Sequence, residues 1–265
     1  MTLGSSPRLL VAVPARLGSR RLPRKVLADI GGEPMLKRVL DRCRLARCVS
    51  AVVLCTDSQE LSDYASSWGH HVLLQDEECC SGTERIARAL PSLIANYFGD
   101  LSLDELYVMN VQADQPFLSP GLIERLSAVF ASLPCDVGVV TPVYRLSAEQ
   151  VHDPAVVKVL ATSDGGRAIT FSRSALPHVH GVDPSLWHQY ASYWGHIGVY
   201  GFRADILSQW QALPVSPLES IEGLEQLRLI DAGYTIGLVE EQGPFLSVDT
   251  AAQLEQARRQ VLAFQ

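Results

Sequence analysis

A chain of 265 residues with 47% hydrophobic and 19% charged residues has the balance of a globular protein with a sizeable core, which excludes a disordered or fibrous polypeptide. A formal net charge of −7 and a pI near 5.5 exclude the basic face that nucleic acid or an anionic membrane demands, while leaving small anions open to one cationic loop. The longest apolar runs, such as Leu9 to Val13 and Ala51 to Leu54, fall far short of the roughly 20 residues of a membrane span, and Met1 to Pro7 carry no apolar signal core, so a cytoplasmic location is expected.

The apolar run Arg8 to Pro14 predicts a strand, and the spacing of Met35, Leu36, Val39 and Leu40 predicts a helix over Pro34 to Ala46. The unit recurs with a strand at Ala51 to Thr56, a helix from Ser58 to Trp68 capped by Ser58, and a short strand at His71 to Leu74. A helix at Gly82 to Leu93, a strand at Glu105 to Val111, a helix at Ser119 to Ala131 and a strand at Asp136 to Val143 follow. Strands alternating with amphipathic helices imply an α/β fold whose mostly parallel, doubly wound sheet is covered on both faces.

After Arg145 the pattern loosens into short strands at Val156 to Leu160 and Ala168 to Phe171, then a polar loop between Pro177 and Trp194. One domain over residues 1–265 with an inserted segment at 146–203 is therefore expected. Regular structure returns with a strand at His196 to Phe202, helices at Ala204 to Leu213 and Leu218 to Ala232, a strand at Thr235 to Val239 and a helix at Ala251 to Leu262. Were Leu218 to Ala232 one continuous helix, Glu222 and Glu225 would share a face. Six cysteines, at 43, 48, 55, 79, 80 and 135, show no CxxC spacing and read as buried free thiols, with no function assigned to Cys79 or Cys80.

Five of the 22 basic residues fall within ten positions, in the loop Arg16 to Lys25 that leaves the first strand. In an α/β sheet such loops form the ligand crevice at the carboxyl ends of the strands, and the first commonly holds phosphates. Gly18 and Ser19 let the backbone approach an anion, and Arg16, Arg21 and Lys25 can neutralise a triphosphate; a merely solvated basic loop is the alternative. The loop has neither G-x-x-x-x-G-K-[ST] nor G-x-G-x-x-G, so neither a P-loop ATPase nor a dehydrogenase is indicated.

The segment Asn110 to Pro116 brings Asp114 to the same rim, and Asp249 stands just before the last helix. One carboxylate from each of two loops, with phosphate oxygens and water, is a usual way to hold Mg²⁺. Each aspartate is equally well explained as a turn or helix cap.

The loop Pro14 to Lys25 resembles the pattern P-A-R-x-x-S-x-R-L-P-x-K of the 3-deoxy-manno-octulosonate cytidylyltransferase family, with Gly32, Pro34 and Met35 in register. Further matches are Ser81-Gly-Thr-Glu-Arg85, Asp153-Pro, Val157-Lys-Val159, Phe171-Ser-Arg173, His196-Ile-Gly-Val-Tyr200, Leu218-Glu, Leu224-Glu-Gln-Leu-Arg228 and Val248-Asp-Thr250. The resemblance implies a Rossmann-like sheet of the nucleotide-diphospho-sugar transferase type, CTP and an acidic octulosonate as substrates, Mg²⁺ as cofactor, and a homodimer joined through the segment after Arg145.

By the same resemblance Arg16, Ser19, Ser81, Gly82 and Thr83 surround the nucleotide, Arg21 and Lys25 take the β and γ phosphates, and Asp114 and Asp249 ligate Mg²⁺. Gln112, Arg173, His196, Tyr200 and Glu225 would touch the sugar, although His196 and Tyr200 also suit a core and Glu225 a solvated helix face. The chain departs from the family at Gln115, where a carboxylate is usual, and at Gly195, where a basic residue is usual. These departures bear on the sugar more than on the reaction class and leave open an amino-substituted octulosonate; a cytidylyltransferase for a sialic-type nonulosonate and a nucleotide-binding protein without catalysis on the same fold are the rival readings.

Overall fold

The computed structural model describes residues 8–19, 21–132, 136–242 and 245–262, so Arg20 and Cys135 lie outside the described residues. In chain order the elements are β1 (Arg8–Ala15), β2 (Asp29–Ile30), β3 (Glu33–Pro34), α1 (Met35–Arg44), β4 (Ala51–Thr56), α2 (Gln59–Ser67), β5 (His71–Leu74), α3 (Gly82–Tyr97), β6 (Leu106–Val111), α4 (Pro120–Ser132) and β7 (Val137–Arg145). They continue with α5 (Ala148–Val151), β8 (Lys158–Ala161), β9 (Ala168–Ser172), α6 (Trp187–Tyr190), β10 (Trp194–His196), β11 (Val199–Arg203), α7 (Ala204–Ser208), α8 (Pro217–Glu222), α9 (Leu227–Asp231), β12 (Thr235–Glu240) and α10 (Ala251–Leu262).

The elements make a mixed, mostly parallel α/β fold in two compact units. The first comprises residues 1–131, 202–211 and 245–265, and the second 132–201 and 212–244.

In the first unit β5, β4, β1 and β6 lie side by side in that order, all parallel. Leu10 to Val13 of β1 are fully buried, as a strand covered on both faces must be. The chain adds β4 and β5 on one side of β1 and then returns to its other side with β6. That reversal leaves a crevice where neighbouring loops depart in different directions. Ala15 pairs with Thr56 and Ala12 with Asn110, so the loops that begin at residues 16, 57 and 112 start from one rim.

The C-terminal helix packs back onto the hairpin β2–β3 and the start of α1. Ile30, Met35, Val248, Leu254, Ala257 and Val261 form one buried cluster, with Leu22 and Phe117 against it. Gly31 permits this approach: its φ is +64°, and a Cβ there would stand 2.5 Å from Val261 Cγ1.

In the second unit β12 runs parallel to β7, while β10 pairs antiparallel with both β7 and β8, and β8 and β9 form a hairpin. Between β9 and β10 the expected polar loop builds a small core of its own, in which Trp187 and Tyr193 pack with Val151. Lys158 is fully buried with no carboxylate partner among the described residues; its ammonium donates to the carbonyls of Asp153 and Val156, both at 2.7 Å, and ties down the turn that leads from α5 into β8.

Two predicted elements divide. The strand expected at His196 to Phe202 breaks into β10 and β11, because the Val199 N–H turns back onto the Ile197 carbonyl at 2.7 Å. The helix expected at Leu218 to Ala232 ends at Gly223, whose φ of +63° closes α8, so Glu222 and Glu225 do not share a helical face. Among the thiols, Cys43, Cys55 and Cys79 are buried, the first two pushed up to about 12 by burial, whereas Cys48 and Cys80 are exposed, against expectation.

Gly31→Ala is expected to destabilise the protein by about 2–4 kcal/mol, combining left-handed strain with the collision at Val261. The measurement is the shift in urea unfolding midpoint, and an unchanged midpoint would show that α10 yields at no cost.

Candidate active site

The arginine loop is shaped by its own hydrogen bonds. The Ser19 hydroxyl accepts from the Leu22 N–H at 3.4 Å, the Lys25 N–H donates to the Leu22 carbonyl at 3.1 Å, and Arg24 adopts a left-handed φ of +54°. This bend sends Arg24 outward to Glu60 and turns Lys25 inward. Arg16 and Gly18 stay exposed at the mouth of the crevice.

Inside, Lys25 Nζ donates to Asp114 Oδ2 and Asp249 Oδ1, each at 2.8 Å. Arg21 Nη2 lies 3.0 Å from Asp249 Oδ2. Burial alone would lower the Lys25 pKa, but the charges and hydrogen bonds of Asp114 and Asp249 outweigh it and the net shift is upward. Burial likewise works to raise Asp249, and Lys25 and Arg21 overcome it to hold the carboxyl below its ordinary range.

Neither carboxylate is spent on a cap. Thr250 caps α10: its hydroxyl accepts from the Gln253 N–H at 3.3 Å, while Gln253 Oε1 accepts from the N–H groups of Thr250 and Asp249. The two loops are also joined through the backbone, where the Val248 N–H donates to the Asp114 carbonyl at 3.0 Å. Asp114 and Asp249 thereby converge on one cation, as a metal pair requires. Among the described residues no group of three or more His, Cys, Asp or Glu side chains could hold a metal.

These residues line a cavity of about 770 Å³, within the range of small-ligand sites. Ser81 and Gly82 form its far wall at the start of α3; Ser81 caps the helix by accepting from the Glu84 N–H at 3.1 Å. Gly82 is needed for closeness, since a Cβ there would stand 2.9 Å from Pro14 Cγ and 3.1 Å from Gln112 Nε2. Thr83 is turned inward, accepting from Asn110 Nδ2 at 3.0 Å. Asn110 in turn accepts from Gln112 Nε2 at 3.3 Å, so Gln112 lies on the nucleotide side of the expected site.

Sequence reasoning gave no role to Arg85, which lines the same cavity. It is almost wholly buried; Nη2 meets Asp57 Oδ2 at 2.5 Å, while Nη1 is buried with no hydrogen-bond partner among the described residues. The available signal was an arginine one turn into a helix whose later inward positions, Ile86, Ala89, Leu90 and Leu93, are all apolar.

The other sugar candidates belong to the second unit. His196 Nε2 lies 3.0 Å from Thr141 Oγ1, whose own proton goes to the Val199 carbonyl at 2.8 Å, so the imidazole is the donor and carries its hydrogen on Nε2. Burial lowers its pKa to about 3. Its ring stands 5.2 Å from that of Tyr200, whose phenol is held protonated first by burial and then by the charge of Glu225. Arg173 is turned to backbone: Nε donates to the Glu222 carbonyl at 2.9 Å and Nη1 to the Pro154 carbonyl at 3.1 Å.

The two departures have physical reasons. A Cβ at Gly195 would lie 2.5 Å from Leu146 Cδ2 and 2.6 Å from Tyr144 Cε1, so those side chains fill the place of the missing basic group. Gln115 is buried and does not line the cavity, a position where a carboxylate would be costly to desolvate.

A strand-reversal crevice lined by cationic side chains, with two carboxylates at its centre, is the site of a nucleotidyltransferase. The cytidylyltransferase family model matches residues 10–236. A 3-deoxy-manno-octulosonate cytidylyltransferase of Porphyromonas gingivalis is 34% identical over 94% of both chains. One of Chlorobium phaeovibrioides is 37% identical over 95% of this chain and 96% of its own.

Among solved structures, a CMP:2-keto-3-deoxy-manno-octonic acid synthetase complexed with CTP superposes with a TM-score of 0.85 at 30% identity, covering 97% of this chain and all of that one. The chain belongs to the 3-deoxy-manno-octulosonate cytidylyltransferase family.

His196 is expected to stay neutral between pH 5 and 8, with no titration of its ring signals in NMR; a midpoint near 6.5 would contradict its burial. Because the unfolded chain takes up that proton near pH 6.5 and the folded one only near 3, the protein is expected to lose stability as pH falls between those values and none above them.

Proposed function

We propose that the protein transfers CMP from CTP to 3-deoxy-D-manno-octulosonate, giving CMP-3-deoxy-D-manno-octulosonate and pyrophosphate, with Mg²⁺ as cofactor. The observation that carries this reading is the convergence of Lys25, Asp114 and Asp249 at the floor of the cationic cavity in a chain of this family. The names of the relatives supply the sugar, and the CTP complex of the similar solved structure supports the nucleotide.

The anomeric hydroxyl oxygen of the sugar forms a bond to the α-phosphorus, the bond from that phosphorus to the bridging oxygen breaks, and pyrophosphate leaves with the electron pair as the hydroxyl proton is released. Arg16, Arg21 and Lys25 neutralise the phosphate chain and align it for in-line attack. Ser19 and the N-terminus of α3 at Ser81 and Gly82 offer donors to the nucleotide. The unpartnered Nη1 of Arg85, held by Asp57, supplies a buried donor suited to an acceptor on the base.

The donor set fits Mg²⁺: two hard carboxylates already share one cation, the Lys25 ammonium, and phosphate oxygens and water can complete six-fold coordination. Bound there, Mg²⁺ would draw charge from the α-phosphate and the leaving group and lower the pKa of the attacking hydroxyl. Arg173, His196, Tyr200 and Glu225 are proposed to recognise the sugar, with the neutral His196 and Tyr200 acting as hydrogen-bond donors.

We also propose a cytoplasmic homodimer whose product feeds lipopolysaccharide synthesis. For the dimer, the second unit offers an open groove of about 650 Å³ in which Leu160 and Trp194 stand among Arg145, Thr162, Asp164 and Glu240. Sedimentation showing a monomer at micromolar concentration would overturn that part.

The test is pyrophosphate release with CTP, Mg²⁺ and 3-deoxy-manno-octulosonate, with sialic acid and the 8-amino octulosonate in parallel. Release only with another sugar would reassign the substrate, and none with any sugar would overturn catalysis. Asp114→Asn is expected to lower kcat about 10²-fold or more with little change in fold; an active, metal-dependent variant would remove Asp114 from the metal.

A further inference from the structure

Lys25 stands where the metal would go. Its ammonium takes a lone pair from each of Asp114 Oδ2 and Asp249 Oδ1 at 2.8 Å, and Arg21 takes Asp249 Oδ2 at 3.0 Å. A divalent ion bound by these two side chains needs lone pairs of the same oxygens, so an ammonium and a metal compete for one position. Without any cation the two partly buried carboxylates would repel and separate.

We propose that Lys25 is a built-in placeholder cation: it holds Asp114 and Asp249 at metal-binding separation while no nucleotide is bound, and is exchanged for the metal when the metal and a triphosphate arrive together. This rests on the reading that Asp114 and Asp249 are the metal ligands.

The anchoring of the residue suits such an exchange. Its backbone is fixed in a 3₁₀ turn, where the Leu27 N–H donates to the Arg24 carbonyl at 2.9 Å and the Ala28 N–H to the Lys25 carbonyl at 3.0 Å. The ammonium, on a flexible four-carbon stem, is a point charge that can change acceptors without the planar match an arginine needs. Arg21, the other cation on Asp249, is two-thirds exposed and free to follow.

The exchange makes the two ligands interdependent. Metal alone must evict Lys25 and leave its ammonium without an anion in a half-buried setting, whereas a triphosphate supplies the displaced ammonium with new acceptors. Metal and nucleotide should therefore each raise the other's affinity by the same factor, and Lys25 should carry much of that coupling.

The experiment is Mn²⁺ binding to the full-length protein, read from the free-ion electron paramagnetic resonance signal, with and without CTP and with no sugar present. Lys25→Met is expected to bind Mn²⁺ about tenfold or more tightly than the native protein in the absence of CTP, since the carboxylates have lost their internal partner. The gain in Mn²⁺ affinity on adding CTP is expected to shrink in the variant.

In thermal unfolding Lys25→Met should melt several degrees lower and recover with Mn²⁺. Lys25→Gln, which keeps a polar chain without the charge, guards against a folding defect and should behave in the same direction. Equal or weaker Mn²⁺ binding by both folded variants without CTP would overturn the placeholder. Asp114→Asn and Asp249→Asn separate the two ideas: if Mn²⁺ affinity in the presence of CTP is unchanged in both, the ligand assignment itself is wrong.

Discussion

The contact between one ammonium and two carboxylates organises the first unit. Lys25 lies 89 residues from Asp114 and 224 from Asp249, so the three meet only if β1, β6 and α10 all take their places. The parallel pairing of β1 with β6 sets the first two loops on one rim, and the apolar cluster around Val248, Ile30 and Val261 draws the last helix in to deliver the third. The shifts of the partners express the same balance. The pair's contribution from Asp249 is present above the ordinary carboxyl range and is lost as pH falls through its lowered pKa; that from Lys25 is lost as pH rises through its raised one.

Around that contact, closeness and fixed charge divide the work. Gly82 lets the start of α3 come up against Pro14 and Gln112, which puts helix N–H groups near the cavity where a side chain would hold them off. Arg85 and Lys25 show two ways of keeping a cation on the wall of one cavity. Arg85 is braced by Asp57 inside the protein, with a spare donor directed by a planar group. Lys25 keeps no such brace beyond the two carboxylates it neutralises, and is the more readily exchanged of the two.

In the second unit the buried side chains around His196 are held in their uncharged forms. The hydroxyl of Thr141 hands its proton to Val199 and so makes His196 a donor, while burial keeps both His196 and Tyr200 neutral at physiological pH. Tyr144 and Leu146 close the space beside Gly195, leaving no room there for a side chain without their movement.

From the amino-acid sequence alone came the alternation of strands and helices up to β7, the concentration of cations in the loop from Arg16 to Lys25, and the rim positions of Asp114 and Asp249. These follow from local rules: apolar period, turn residues and the carboxyl ends of parallel strands. The sequence could not choose between a cap and a metal ligand for Asp249, because both need an aspartate at a helix start; the structure gives the cap to Thr250 and Gln253 and turns the Asp249 carboxylate to Lys25 and Arg21. It offered no role for Arg85, and it predicted one helix where Gly223 divides two, since a single glycine breaks a helix only where tertiary contacts reward the turn. Tertiary structure alone brought Lys25 between the two carboxylates, because a contact spanning most of the chain depends on how every intervening element packs and not on any local pattern.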